Sequence, residues 1–234
     1  AVLYVPRLFS SYRTWIFMKE NDMNKKLDKK RNIDFYLLYT AAFLAVALAL
    51  YLRFFTNGKS LVWSHDGVPQ HLNSLAYYGR YLRQVLYTLF IEHKLSLPLW
   101  DMHIGYGSDI LTTLHYYVIG DPLTLLAVFV PESKTETLYA FLIFLRIYLA
   151  GIAFSRYSFY HKNSKQATFM GTMIYIFAGW TIYAAMKHPY FSNPMIYLPL
   201  ILLGIDKIYK KEKPYTFIWS VALAGLSNFY FFYM

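Results

Sequence analysis

The sequence predicts an all-α, polytopic membrane protein, and three observations carry that prediction. Of 234 residues, 57% are hydrophobic and only 15% charged, against about 25% charged in soluble domains. The run over 35–55, FYLLYTAAFLAVALALYLRFF, is apolar or aromatic except for Thr40 and Arg53. A bilayer span needs about 20 such residues at roughly 1.5 Å rise each. Basic residues gather beside this and later apolar runs, on alternate sides, as the positive-inside rule requires. That grouping accounts for the net charge of +10 without a nucleic-acid partner. With no Cys in the chain, disulfides, thiolate metal sites and Cys nucleophiles are excluded.

Residues 1–34 read as a cytoplasmic basic segment, because Lys19, Lys25, Lys26, Lys29, Lys30 and Arg31 precede the first span. We expect Met23 to be a natural start, with 1–22 as upstream material, and the apolar run ending at Met234 to be cut from a larger protein. Five spans are expected: 35–55, about 138–157, about 167–186, about 195–208 with a slightly earlier start, and one opening near Tyr215. Arg156, Lys162 and Lys165 fill the loop after the second, and Lys207, Lys210, Lys211 and Lys213 the loop after the fourth. The loop between spans three and four holds only Lys187 and His188. The apolar stretch 123–130, between Pro122 and Pro131, is too short to cross and would break the alternation. It is expected to be re-entrant or interfacial.

The segment 56–137 is then an extracytoplasmic loop. Within 71–90, Leu72, Leu75, Leu82, Val85, Leu86, Leu89 and Phe90 recur at helical spacing, which predicts an amphipathic helix lying in the membrane interface.

Asp66 is the leading candidate for chemistry. It follows Trp63, Ser64 and His65 and precedes Gln70 and His71, so a carboxylate lies among polar partners just beyond a span. There it would take a proton from an acceptor hydroxyl while a lipid-carried substrate is held in the bilayer. Asp101 follows Leu99 and Trp100, Asp109 follows Gly107 and Ser108, and Asp121 sits between Gly120 and Pro122. Acids beside Gly and Pro serve loops that hold sugars or phosphates, and they also serve as ordinary caps. Asp109 and Asp121, taken singly, read first as caps. His65, His71, His103 and His115 share the outer loop, yet none forms an HxxxH or HExxH pair, which argues against zinc. Asp oxygens leave Mg²⁺ or Mn²⁺ open.

Arg146 falls in mid-span, between Leu145 and Ile147, where an unpaired charge is costly and marks a functional site by default. Either an anion such as a lipid phosphate or an acid or carbonyl on a neighbouring helix would satisfy it. Arg53 can snorkel as an anchor. His188 and Asn193 flank the second outer loop and are expected to border the Asp66 cavity, although Pro189 and Pro194 explain a plain turn. Asn228 is expected to bridge helices.

These motifs in their order resemble the YfhO family of bacterial membrane proteins, whose members look like GT-C glycosyltransferases. The resemblance runs from the first span to the chain end. It rests on Ser64, His65, Asp66 and Gly67 with Gln70, and on Leu99, Trp100 and Asp101 with Ile104, Gly105, Tyr106 and Gly107. It continues through Gly120, Asp121 and Pro122, through Pro189, Tyr190, Phe191, Ser192, Asn193, Pro194 and Met195 with Leu198, Pro199 and Leu200, and through Ser227, Asn228, Phe229 and Tyr230.

The resemblance implies a GT-C-like helix bundle at 35–234, the N-terminal part of an enzyme of the bacterial cell membrane. That enzyme would move a sugar from a polyprenyl-phosphate carrier to an envelope polymer such as teichoic acid. Asp66 matches the position of the GT-C catalytic acid in the first outer loop. As base it would activate the acceptor, with Arg146 or a nearby cation on the leaving phosphate and Asp101 or Asp121 on sugar hydroxyls or an ion. His65, Gln70 and His188 complete the expected substrate contacts. A transporter or flippase of a lipid-linked precursor is the competing reading, and a membrane scaffold whose acids serve as caps is a third.

Overall fold

The computed structural model describes residues 33–227 and 229–233. The expectations for the basic segment up to Asn32, for Met23, for Asn228 and for Met234 lie outside the described residues. The chain divides into two units, 1–48 and 49–234. Helix α1 (Ile33–Thr56) belongs to both, and it is apolar and long enough to cross a membrane. The expected first span falls inside it.

In the second unit, one turn of π-type helix (Gly67–Leu72) runs straight into α2 (Asn73–Phe90). The amphipathic helix expected over 71–90 therefore forms, beginning slightly earlier. Its buried face is Leu75, Tyr78 and Gly79, while Leu86, Leu89 and Phe90 at its far end stay exposed. A helix packed wholly on a soluble core would cover that second half of its stripe. Arg83 donates to the carbonyls of Ala127 and Val130 at 2.9 and 2.7 Å, tying α2 to a 3-10 helix over Pro122–Phe129. That helix is the expected short apolar piece, and at about 2 Å per residue its 8 residues cannot cross. A two-residue hairpin pairs β1 (Trp100–Asp101) with β2 (Ser108–Asp109) and leads into α3 (Ile110–His115).

Helix α4 (Thr135–Tyr160) holds the second expected span. Its 26 residues reach about 39 Å, and Lys162, at φ 60, turns the chain out after it. Ser164 caps α5 (Lys165–Ile176), its hydroxyl accepting from Ala167 N at 3.2 Å. The expected third span departs from a single rod: α5 and α6 (Gly179–Lys187) meet at 43°. Ala178 between them is extended, at ψ 149, and Gly179 next to it is a poor helix former. A 3-10 turn (Pro189–Ser192) enters α7 (Asn193–Tyr209), which begins slightly before residue 195 as expected. Gly204 of α7 lets α8 (Tyr215–Ser227) approach closely, since a Cβ there would meet the Phe217 backbone at 2.6 Å. A short α9 (Phe229–Tyr233) follows.

The regular secondary structure of the described residues is thus almost wholly helical, as in an all-α membrane protein. Among them two helices, α1 and residues Glu132–Tyr160, have the length and apolarity to cross a membrane, and the bent α5–α6 pair makes up to three.

Candidate functional site

Four aspartates of the 56–137 segment have separate fates, and hydrogen bonding separates them. Asp109 caps α3, accepting from Leu111 N at 2.8 Å and Thr112 N at 3.2 Å. Asp101 accepts from the Tyr77 hydroxyl at 2.6 Å on one oxygen and from His103 N and Nδ1, both at 2.8 Å, on the other. The Tyr77 and His103 donors hold its carboxyl down at about 2. Asp121 caps the 3-10 helix through Leu123 N at 2.9 Å, and its other oxygen faces Arg146 and Asn193.

Asp66 differs from all three. It occupies the N-cap position of the π-type turn, yet its side chain makes no cap bond. Its carbonyl accepts from Gln70 N and His71 N instead. The carboxylate is left to face outward with 38% of its side chain exposed. Gln70 Nε2 donates to Oδ1 at 3.0 Å, and His188 Nε2 stands 3.8 Å from Oδ2. Tyr117 donates to Gln70 Oε1 at 3.1 Å, which fixes the amide with its NH₂ toward Asp66.

Behind His188 lies His71, 4% exposed, with Nε2 at 2.9 Å from His188 Nδ1. One tautomer pair suits this geometry. If His71 donates from Nε2, His188 keeps its proton on Nε2 and turns a donor toward the carboxylate. The reverse pair would aim a lone pair at Oδ2. Burial, and then the charge of His188, lower the His71 pKa to about 4 against an opposing pull from Asp66. Burial also lowers that of His188. Tyr117, Tyr190 and His188 rings surround His71 at 5.0–5.5 Å.

A cavity of about 20 Å³ beyond His71 is bounded by Tyr117, Tyr139 and Arg146, about the room one water needs. It separates the Asp66 cluster from a second buried one. There Arg146 Nη2 meets Asp121 Oδ2 at 2.7 Å, Arg146 Nε meets Asn193 Oδ1 at 2.9 Å, and Asn193 Nδ2 meets Asp121 Oδ2 at 2.9 Å. All three are essentially buried, Arg146 and Asp121 each at 3%. Burial pushes the Asp121 carboxyl up, but Arg146 and the donors outweigh it and hold it below its ordinary range.

The structure therefore brings Asp66, Gln70 and His188 together, as the sequence suggested. It sets Asp121 and Arg146 against each other, so the mid-span arginine finds its anion inside the protein and not in a lipid. Asp101 is pinned by Tyr77, two helical turns along from Gln70. His65 is exposed and turns away, stacking on Trp63 at 5.0 Å. His71, Tyr117 and Lys187 belong to the site's surroundings without having been singled out as site residues. His71 and His188 stand 117 positions apart in the sequence, and nothing local signals their pairing.

A divalent ion does not fit these donors. The oxygens of Asp101 and Asp121 are committed to N–H and O–H groups, and among the described residues no three His, Asp or Glu converge on one point.

The chain is similar over residues 38–234 to the family described as bacterial membrane protein YfhO. It is 26% identical over 216 residues to the uncharacterized protein YfhO of Bacillus subtilis (strain 168), a match covering 85% of this chain and 24% of that protein. The chain thus spans about a quarter of the length of that curated relative. No solved structure matches it.

Proposed function

The chain belongs to the YfhO family of bacterial membrane proteins, and from that premise we propose that it is the N-terminal part of a GT-C-like glycosyltransferase. The reaction moves a sugar from a polyprenyl-phosphate carrier to an envelope polymer such as teichoic acid, on the outer face of the cell membrane. The N-terminus is cytoplasmic in this reading, the five apolar segments cross the bilayer, and 56–137 is the outer loop. The exposed outer half of α2, with Leu86, Leu89 and Phe90, lies against the lipid interface.

One observation carries the reading: Asp66 caps no helix and is oriented by side chains, with Gln70 Nε2 on Oδ1 and His188 Nε2 3.8 Å from Oδ2, whereas both oxygens of Asp101 and Asp121 are taken and Asp109 caps α3. Gln70 orients it by a hydrogen bond, and His188 stands beside it. The acceptor hydroxyl gives its proton to Asp66 as its oxygen attacks the anomeric carbon, and the sugar–phosphate bond breaks with its electron pair on the carrier phosphate. Asp121 and Arg146 act in support, by locking the 3-10 helix and α7 to α4 behind the site. No step passes through a metal.

The test uses the full-length protein in vesicles with polyprenyl-phosphate sugar and envelope polymer, wild type beside Asp66→Asn. The neutral amide keeps the shape and loses the base, so transfer should fall by at least about 100-fold with membrane insertion unchanged. Full turnover in Asp66→Asn would remove it from the mechanism. An outer cavity is also what a flippase of a lipid-linked precursor would use. In that case label crosses the bilayer equally in both proteins and reaches no polymer.

A further inference from the structure

We infer that a pocket beside Asp66, between the C-terminal end of α1 and the end of α6, seats the phosphate head of a membrane lipid, with Lys187 as its counter-ion. The pocket is about 290 Å³ and is lined by Phe54, Leu61, Trp63, Tyr183, Met186 and Lys187, among others. That volume suits a headgroup and the first part of a chain.

The ammonium of Lys187 lies 4.0 Å from the centroid of the Trp63 ring and 4.7 Å from that of Tyr183. Among the described residues no carboxylate pairs with it. A cation held by ring faces keeps its full charge for an anion, whereas one held by a carboxylate does not. Ser60 also lines the pocket. Its hydroxyl oxygen accepts from Val62 N at 3.0 Å, which leaves its proton to donate to a phosphate oxygen.

The walls select the rest of the ligand. Phe54, Leu61 and Met186 have nothing to offer a free phosphate ion, and a neutral hydrocarbon has no use for the ammonium. An anion joined to an apolar chain satisfies both. Phe54 belongs to α1, which has the length and apolarity of a membrane span, so a ligand from the bilayer has direct access. Trp63 lies three residues before Asp66, and Lys187 directly precedes His188. A phosphate on Lys187 therefore sits beside the proposed base. This placement rests on the glycosyltransferase reading only for taking that lipid to be the sugar carrier. It moves the leaving phosphate from Arg146 to Lys187.

The test is equilibrium binding of radiolabelled farnesyl phosphate to the full-length protein in phosphatidylcholine nanodiscs, with farnesol and inorganic phosphate as competitors. Wild type should bind farnesyl phosphate, with each competitor weaker by about tenfold or more. Lys187→Gln should weaken binding about tenfold or more and Lys187→Arg should largely restore it. Met186→Trp fills the pocket without altering charge and should also block binding, so the result does not depend on one variant folding. Equal competition by farnesol, equal competition by inorganic phosphate, or unchanged binding in both Lys187→Gln and Met186→Trp would each overturn the assignment. Tight, Lys187-dependent binding without transfer in any assay would refute the enzyme and leave the pocket standing. Transfer without Lys187-dependent binding would do the reverse.

Discussion

The Asp121–Arg146–Asn193 cluster makes a prediction that separates a structural arginine from a ligand-binding one. Arg146→Met keeps the length and apolar volume of the side chain and removes the charge. Asp121 then remains 97% enclosed, with only Leu123 N and Asn193 Nδ2 as donors. Removing one member of a buried ion pair costs about 3–5 kcal/mol, because the other charge is stranded. Asp121→Asn should cost a similar amount by stranding Arg146 within a membrane-length helix. In the double variant no charge is left buried, so its loss should fall short of the sum of the single losses by about 2–3 kcal/mol. Equilibrium unfolding of the full-length protein in mixed detergent micelles, across the four members of the cycle, measures this directly. If Arg146→Met unfolds within about 0.5 kcal/mol of wild type yet loses binding of the lipid carrier, the arginine is a ligand group and the argument from its burial fails.

Two further outcomes follow from the same geometry. His71 is held neutral, from 6.5 in the ordinary case to about 4 here, so the unfolded chain binds its proton more readily. Its contribution is complete above about pH 6.5, is lost as pH falls toward 4 and reaches about 3 kcal/mol; His71→Phe should flatten a stability–pH profile over that window. Gly120 sits at φ 95, and a Cβ there would strike the Leu226 carbonyl oxygen; Gly120→Ala should therefore cost more than about 1 kcal/mol, read as a lowered melting temperature in detergent.

Much of the helical plan was legible in the chain because apolar periodicity and charge are local properties. The run at 35–55, the amphipathic stripe at 71–90 and the segment at 138–157 each announce themselves within about 20 residues, and each forms the helix expected of it. Asp109 was legible as a cap for the same reason, since the groups it bonds are two and three residues away. The bend of 43° between α5 and α6 was missed. No proline marks it, and Gly179 alone only lowers helix propensity.

The order and spacing of Asp66, Gln70, Asp121 and the 189–195 turn determined the family and the first candidate for the base. They could not determine which aspartates were already spent. That depends on donors brought in from elsewhere: Tyr77 onto Asp101, Arg146 and Asn193 onto Asp121, and His188 toward Asp66. The same holds for the charges. In the sequence Arg146 has two candidate partners, a lipid phosphate or a group on a neighbouring helix, and Lys187 is a loop charge; packing gives Arg146 the Asp121 carboxylate. Burial drives Arg146 onto the nearest carboxylate, because an unpaired ion in a low dielectric is too costly. Lys187, at the end of α6, meets the ring faces of Trp63 and Tyr183 instead of a carboxylate. A sequence determines which residues can be charged or apolar, but only the folded neighbours decide which of those charges remain unspent.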